Sequence, residues 1–259
     1  MSSLYRRFIP ILLLDRRRRL VKTVRFGERT YIGDPFNVIR LFNEKQADEL
    51  CLLDIDATVD QRAPDIDFLG ELASECFMPL TYGGGITSVE QCRKLNRAGI
   101  EKFVLGTSAL DRTLLRGIAK ELGSQAVVVC IDVRGAGNDA RCVIRSGGRM
   151  LNFKPIDLAL QAQEDGAGEI VIQSVDRDGA RTGMDLDLIR HISSNCSVPI
   201  IAASGAGELN HLVQALAAGA SAAASGSAFC FIGRLRAVLI SYPNHSQKLA
   251  ALKTIEVRA

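Results

Sequence analysis

Adding 120 to a position in the first half of this chain repeatedly returns the same residue in the second half. Glu49 maps onto Glu169, Asp56 onto Asp176, Pro79 onto Pro199, Gly85 onto Gly205 and Gly106 onto Gly226, while Ala98-Gly99 maps onto Ala218-Gly219. Such self-similarity marks a structural unit built twice. Within each copy, short apolar runs alternate with segments of helical period. The strand runs are "FIPILLL", "LCLLDID", "PLTYGG", "KFVLG", "AVVVCIDV", "EIVIQSV", "PIIAAS" and "SAAASG". Between them lie amphipathic stretches such as "DPFNVIRLFNEKQADE" and "ELNHLVQALAAGA". Nearly continuous apolar strands between helices require a parallel sheet covered by helices. Eight such units in 259 residues match the roughly 250 of a closed (β/α)8 barrel. The expected fold is therefore α/β: a single-domain (β/α)8 TIM barrel over residues 1–259 with a two-fold half-barrel duplication. The half-barrels run over about 1–122 and 123–241, and "SYPNHSQ" leads into a C-terminal segment, 242–259. "RCVIRSGGRMLNF", 141–153, with two glycines between alternating segments, reads as an inserted hairpin.

Composition narrows the function. Apolar residues make up 47% and charged residues 24%, as in an ordinary globular protein with a large core. A net charge of +3 is too small for general nucleic-acid binding, so no nucleic-acid partner is expected. The seven cysteines contain no Cys-x-x-Cys pair, which supports neither a disulfide framework nor zinc, and Cys51, Cys130 and Cys230 read as core residues in a reducing cytoplasm. His191, His211 and His245 form no metal set, so no metal is expected, and nothing calls for a cofactor. No apolar run nears the 18 or so residues that span a membrane, and "MSSLYRRFIP" has no signal-peptide core.

"YGGGI", 82–86, and "ASGAG", 203–207, follow strands at equivalent places in the two copies. Glycines there let backbone N–H groups approach an anion without a side chain in the way. The next strands end in "LGTSA" and "ASGSA", adding the hydroxyls of Thr107 and Ser227. One Gly-Gly-Gly is also an ordinary tight turn; two glycine loops in register, each backed by a hydroxyl, point to two phosphate sites facing each other across the mouth.

These residues resemble the cyclase subunit family of imidazole glycerol phosphate synthase. The resemblance covers nearly the whole chain and rests on "GDP" (33–35), "ADELCLLDI" (47–55), "YGGGI", "GSQAVVVCID" (123–132), "GAGEI" (166–170), "SVDRDG" (174–179) and "VPIIA" (198–202). It implies a barrel that takes ammonia from a separate glutaminase, docked as a heterodimer on the strand-opening face. It also implies phosphate contacts at Gly85 and Thr107 at one end of the ligand, and at Gly179, Gly205 and Ser227 at the other. Ser204 and Gly106 stand where the family usually has glycine and asparagine. Of the family's two catalytic aspartates, the second matches Asp178; its bland alternative is an Asx turn before Gly179. Asp132 matches another mouth carboxylate and Lys22 a mouth lysine. Arg7, Glu49, Lys102 and Glu169, each opening a predicted strand, match the family's salt-bridge gate for ammonia, although strand-opening charges are often merely solvated.

The first catalytic aspartate is missing. The family's "Pro-Cys-Leu-Asp-Val" becomes "Pro-Ile-Leu-Leu-Leu", and Leu13 takes its place. Asp15 lies two residues on, on the same face of an extended strand but about 6–7 Å further along, and could serve only if the loop folds back. Arg16–Arg19 read either as a solvated face or as an anion clamp at a reshaped mouth. A kept gate with a lost base, together with "SECFMPLTYGGGI" and "LVKTVRF", resembles the divergent paralogues of cell-surface sugar pathways. The implied role is ammonia delivery to a separate sugar amidotransferase, for an acetamidino group on a nucleotide sugar. A true histidine-pathway cyclase using Asp15 and a catalytically silent, glutaminase-activating subunit remain the alternatives.

Overall fold

The computed structural model describes residues 6–233 and 235–256. Eight parallel strands close on themselves: β1 (Arg7–Leu14), β2 (Leu50–Asp54), β3 (Leu80–Gly83), β4 (Lys102–Leu105), β5 (Val127–Arg134), β6 (Glu169–Ser174), β7 (Ile200–Ala203) and β8 (Ala222–Ser225). Closure comes from β8 pairing with β1, Ala222 opposite Arg7 and Ser225 opposite Pro10. Helices α1 (Pro35–Glu44), α2 (Ile66–Ser74), α3 (Val89–Arg97), α4 (Arg112–Leu122), α5 (Pro155–Glu164), α6 (Leu186–Ser193) and α7 (Leu209–Ala217) wrap the outside, and α8 (His245–Glu256) packs on α7. The chain is a (β/α)8 TIM barrel.

Helix starts follow local chemistry. Asp34, Asp65, Ser88, Asp111 and Asp185 each accept a backbone N–H of the first turn, and Pro35 and Pro155 occupy first helical positions where no donor is lost.

Strand parity sorts the side chains into two cores. Phe8, Leu12 and Leu14 of β1 pack outward with the helices, whereas Ile9, Ile11 and Leu13 point inward with Cys51, Val104, Val128, Val171 and Ile201. The inner cluster is completed by Ala203, Ala222 and Ala224, whose small side chains fill the axis incompletely.

Two hairpins stand on the mouth. Residues 141–150 form the expected one, with Arg141–Ile144 antiparallel to the upper end of β5 and to Arg149–Met150. The other was not anticipated: Leu20–Thr23 returns antiparallel along the top of β1 and pairs with Arg29–Gly33. Strand β1 therefore ends at Leu14, and Asp15 does not continue its inward face. The Asp15 carboxylate instead accepts the backbone N–H groups of Arg17 and Arg19 and the Arg19 guanidinium, at 2.7–3.0 Å. It is the residue that makes the turn.

The arginine run meets an aspartate-rich loop. Arg16 pairs with Asp60, 3.3 Å away, and with Asp56; Arg18 pairs with Asp65 at 2.5 Å and stacks over Phe68. Arg19, besides holding Asp15, lies over the Tyr31 ring. Asp56 is the hub, since it also takes both terminal nitrogens of Arg29 at 2.7 and 2.8 Å and the Arg16 backbone N–H at 2.9 Å. The Arg29 hydrogen bonds pull the Asp56 carboxyl down to about 2. Its charge therefore stabilises the fold above about pH 4, and that contribution fades as pH falls towards 2. Asp56→Asn should lose roughly 2 kcal/mol at pH 7 by urea unfolding. The gap to wild type should close between pH 4 and 2; a gap that stays constant would assign the loss to packing.

Candidate functional site

Period-two alternation turns the strands into lines of side chains running along the axis. On β1 the inward line is Arg7, Ile9, Ile11, Leu13; on β2, starting just before it, Glu49, Cys51, Leu53; on β6, Glu169, Val171, Gln173. Each line begins with a charge, passes apolar residues and ends at the mouth.

At the strand-opening end four charges form a ring. Arg7 donates to Glu49 at 2.5 Å and to Glu169 at 2.6 Å, and Lys102 bridges the same carboxylates at 3.2 and 2.9 Å. The Thr81 hydroxyl donates to Glu49 at 2.9 Å. Glu49 is only 3% exposed, and the partners that a buried carboxylate needs are the two cations facing it. Those two carboxylates in turn hold the Arg7 guanidinium above its usual range despite burial, which opposes the shift. Two cations against two anions leave the ring neutral.

Above the ring lies a cavity of about 20 Å³ with an almost wholly apolar wall. That is room for about one water-sized molecule. Above it opens the mouth cavity, of about 170 Å³. The two share Ile11, Leu53, Val104, Cys130 and Gln173, so a thin collar of five side chains separates them.

The mouth cavity brings together Gly85, Thr107, Gly179, Gly205, Ser227, Lys22, Asp132 and Asp178; Asp15 is not on its wall. The two glycine loops are built alike. Gly85 and Gly205 have φ of +68° and +92°, and a β carbon on either would fall 2.2–2.3 Å from a carbonyl oxygen, that of Arg62 or of Gly183. Only glycine fits both demands. Thr107 and Ser227 each begin a short helical turn behind these loops.

The floor is asymmetric. On the β5–β6 side, Asp132 accepts from Cys130 Sγ at 3.5 Å and from Gln173 Nε2 at 3.3 Å. Burial, with a smaller push from the Asp178 charge, raises the Asp132 carboxyl to about 7. Asp178 accepts the Thr23 hydroxyl at 2.7 Å and the Phe26 N–H at 3.3 Å, yet burial outweighs these bonds and raises its carboxyl too. A carboxyl raised to about 7, as that of Asp132 is, can both give and take a proton. On the β1–β2 side the inward-pointing floor is Ile11, Leu13 and Leu53; the carboxylate on that wall, Asp54, is held by the Arg62 guanidinium and by the backbone N–H groups of Asp56 and Ala57. Lys22 reaches in over this side and donates to the Ile11 carbonyl; burial lowers its ammonium. It lies flat against Gly226, where a β carbon would sit 1.8 Å from Nζ. Among the described residues no three His, Cys, Asp or Glu side chains are placed to hold a metal ion.

Gln173, Arg29 and Arg145 also line the mouth and were not singled out in the sequence. Gln173 was within reach, being two and four residues beyond inward-facing Val171 and Glu169. Arg145 depends on how the hairpin folds over, which no local signal gives.

The raised Asp132 carboxyl sets a pH dependence. Below about pH 4 it is neutral in both folded and unfolded chains; between about 4 and 7 only the unfolded chain releases its proton, so stability falls as pH rises. Asp132→Asn should match wild type near pH 4 and exceed it by on the order of 1–3 kcal/mol at pH 8 in urea unfolding. A variant less stable than wild type at pH 8 would show the carboxylate to be stabilised, not penalised.

Residues 7–235 match the family described as Histidine biosynthesis protein. A Pseudomonas aeruginosa protein named "Putative imidazole glycerol phosphate synthase subunit hisF2" is 47% identical over 242 residues, covering 92% of this chain and 96% of that one. A Leptospira borgpetersenii protein named "Putative imidazole glycerol phosphate synthase subunit HisF" is 42% identical over 250 residues, 94% and 97% of the two chains. The Chlorobium phaeobacteroides "Imidazole glycerol phosphate synthase subunit HisF" is 40% identical over 230 residues, 88% and 91%. The closed barrel, the paired glycine loops and these likenesses make the chain a member of the histidine biosynthesis protein family, as a divergent HisF-type barrel.

Proposed function

We propose that this barrel receives ammonia from a separate glutaminase at its strand-opening face, passes it along the axis, and holds a phosphorylated ligand at its mouth. One observation carries the reading: the neutral charge ring, the cavity and the mouth are stacked on one axis with only five side chains between the last two. A dry apolar passage the size of one small molecule suits neutral ammonia and excludes ammonium, whose charge costs too much to desolvate. The ring is the entry; Arg7 or Lys102 must swing away from Glu49 and Glu169 to open it.

The ammonia goes, in this reading, to a separate amidotransferase that builds an acetamidino group on a nucleotide sugar for cell-surface polysaccharide. Leu13 favours this over the histidine-pathway cyclase. Proton transfer at the β1 side of the mouth needs a free carboxyl there; Asp15 is consumed by its own turn, and Asp54 is held by Arg62 and by the N–H groups of Asp56 and Ala57. Asp132 and Asp178 remain as proton-holding groups on the opposite side, with Gly85 and Thr107 facing one phosphate and Gly179, Gly205 and Ser227 the other.

With ammonium salts and the histidine-pathway substrate, imidazole glycerol phosphate formation should run about 10²- to 10⁴-fold below that of the Chlorobium HisF. Leu13→Asp should recover part of it, and Asp15→Asn should change nothing. Turnover equal to that of the HisF control would sink the sugar-pathway reading.

A second test concerns the ring. In a strain deleted for this gene, acetamidino groups on surface polysaccharide should disappear and return with the wild-type gene. Lys102→Ala should restore them only in excess ammonium. Full restoration by Lys102→Ala in low ammonium would remove the ring from the ammonia path.

A further inference from the structure

The hairpin over residues 141–150 carries a feature that the fold does not need. Its tip places Arg145 and Ser146 at φ of +55° and +53°, before Gly147 at +79°. Left-handed backbone is costly for side-chain-bearing residues, of order 1–2 kcal/mol each, and an Asn-Gly pair would make the same turn with less strain. Strain of this kind persists where surrounding contacts impose it.

Those contacts lead to the mouth rim around the first phosphate site. The Arg145 backbone N–H donates to the Thr107 hydroxyl at 2.9 Å, and the Ser146 hydroxyl donates to the Ile55 carbonyl, beyond the end of β2, at 3.0 Å. Gly147 meets Phe26 of the other hairpin. The tip is thereby pinned across the mouth, next to Gly85 and Thr107.

This pinning has two chemical effects. A hydroxyl whose lone pair accepts one N–H is left with its own O–H to donate, so Thr107 becomes an oriented donor. It also puts Arg145 on the cavity wall, within reach of the Gly85/Thr107 site for its long side chain. The other cations on that wall are engaged: Lys22 donates to the Ile11 carbonyl, and Arg29 is held by both oxygens of Asp56. Arg145 is the one wall cation whose side chain has no bonded partner among the described residues.

We infer that Arg145 is a ligand-binding residue, clamping a phosphate monoester dianion held at Gly85 and Thr107, with hairpin 141–150 as the arm that carries it. A planar guanidinium gives a phosphate two parallel donors, which glycine N–H groups alone do not supply at full charge. The clamp acts on the first glycine loop only; among the described residues the second, at Gly205 and Ser227, has no unpaired arginine on the cavity wall. The two phosphate sites are thus chemically unequal despite the duplicated frame. This inference rests on the phosphorylated-ligand reading above.

Inorganic phosphate is a suitable probe, titrated calorimetrically at fixed ionic strength, alongside crystals grown in phosphate. Wild type should hold an anion at both loops. Arg145→Ala should weaken one of the two binding events about 10-fold or more and empty the Gly85/Thr107 site, leaving the Gly205/Ser227 site occupied. Arg145→Lys should restore part of the affinity, which a purely structural role for the side chain would not require. Both sites filled with unchanged affinity in Arg145→Ala would overturn the clamp while sparing the phosphate reading. No anion at either loop in wild type would overturn both.

Discussion

Closure of the sheet between β8 and β1 governs everything else in this protein. Once Ala222 faces Arg7 across that seam, every strand residue is assigned by parity to the axis or to the helices, with no freedom left. A charge assigned to the axis cannot reach bulk water freely and must find its partner there. Arg7, Glu49, Lys102 and Glu169 are so assigned, and they satisfy one another as a ring. The same rule sends Leu13 to the mouth floor and puts an apolar side chain at the end of the inward line of β1. Ala224, a small residue among larger ones, lines the part of the axis that stays open.

Much of this was legible in the sequence because it depends on short-range periodicity. The eight strands, the hairpin after β5 and the in-register glycine loops each leave a local trace, and the line Glu169, Val171, Gln173 is simple alternation. Asp15 is where such reasoning broke down. Its direction depends on where β1 stops, which is set by Leu20–Thr23 folding back along it, and no feature of residues 8–15 announces that. The arginine run was ambiguous for a related reason. Its partners, Asp56, Asp60 and Asp65, are about 40 residues away and become neighbours only because β1 and β2 are adjacent. Four like charges read in isolation look solvated; beside an acidic loop, two of them, Arg16 and Arg18, form a clasp.

The duplicated frame and its unequal contents separate two kinds of constraint. Backbone demands are shared, since both glycine loops need positive φ beside a crowding carbonyl. Side-chain chemistry is not, since Asp132 and Asp178 stand on one side of the mouth and Leu13 and Leu53 on the other. A barrel can thus keep its binding frame while its reactive half is rewritten, because the frame resides in main-chain geometry and the reactivity in a few inward positions.

The contact between Lys22 and Gly226 restricts how this chain can change. A β carbon at 226 would occupy the space already filled by the lysine ammonium, so Gly226→Ala requires the Lys22 side chain to leave its place on the Ile11 carbonyl. Shortening Lys22 first would leave a void beside Gly226 that a methyl group could then fill. The two positions are therefore strongly non-additive, and only one order of steps between the two pairings avoids a collision. A change that began at Gly226 would displace the buried cation from its carbonyl, whereas one that began at Lys22 would give up that cation before gaining anything in packing.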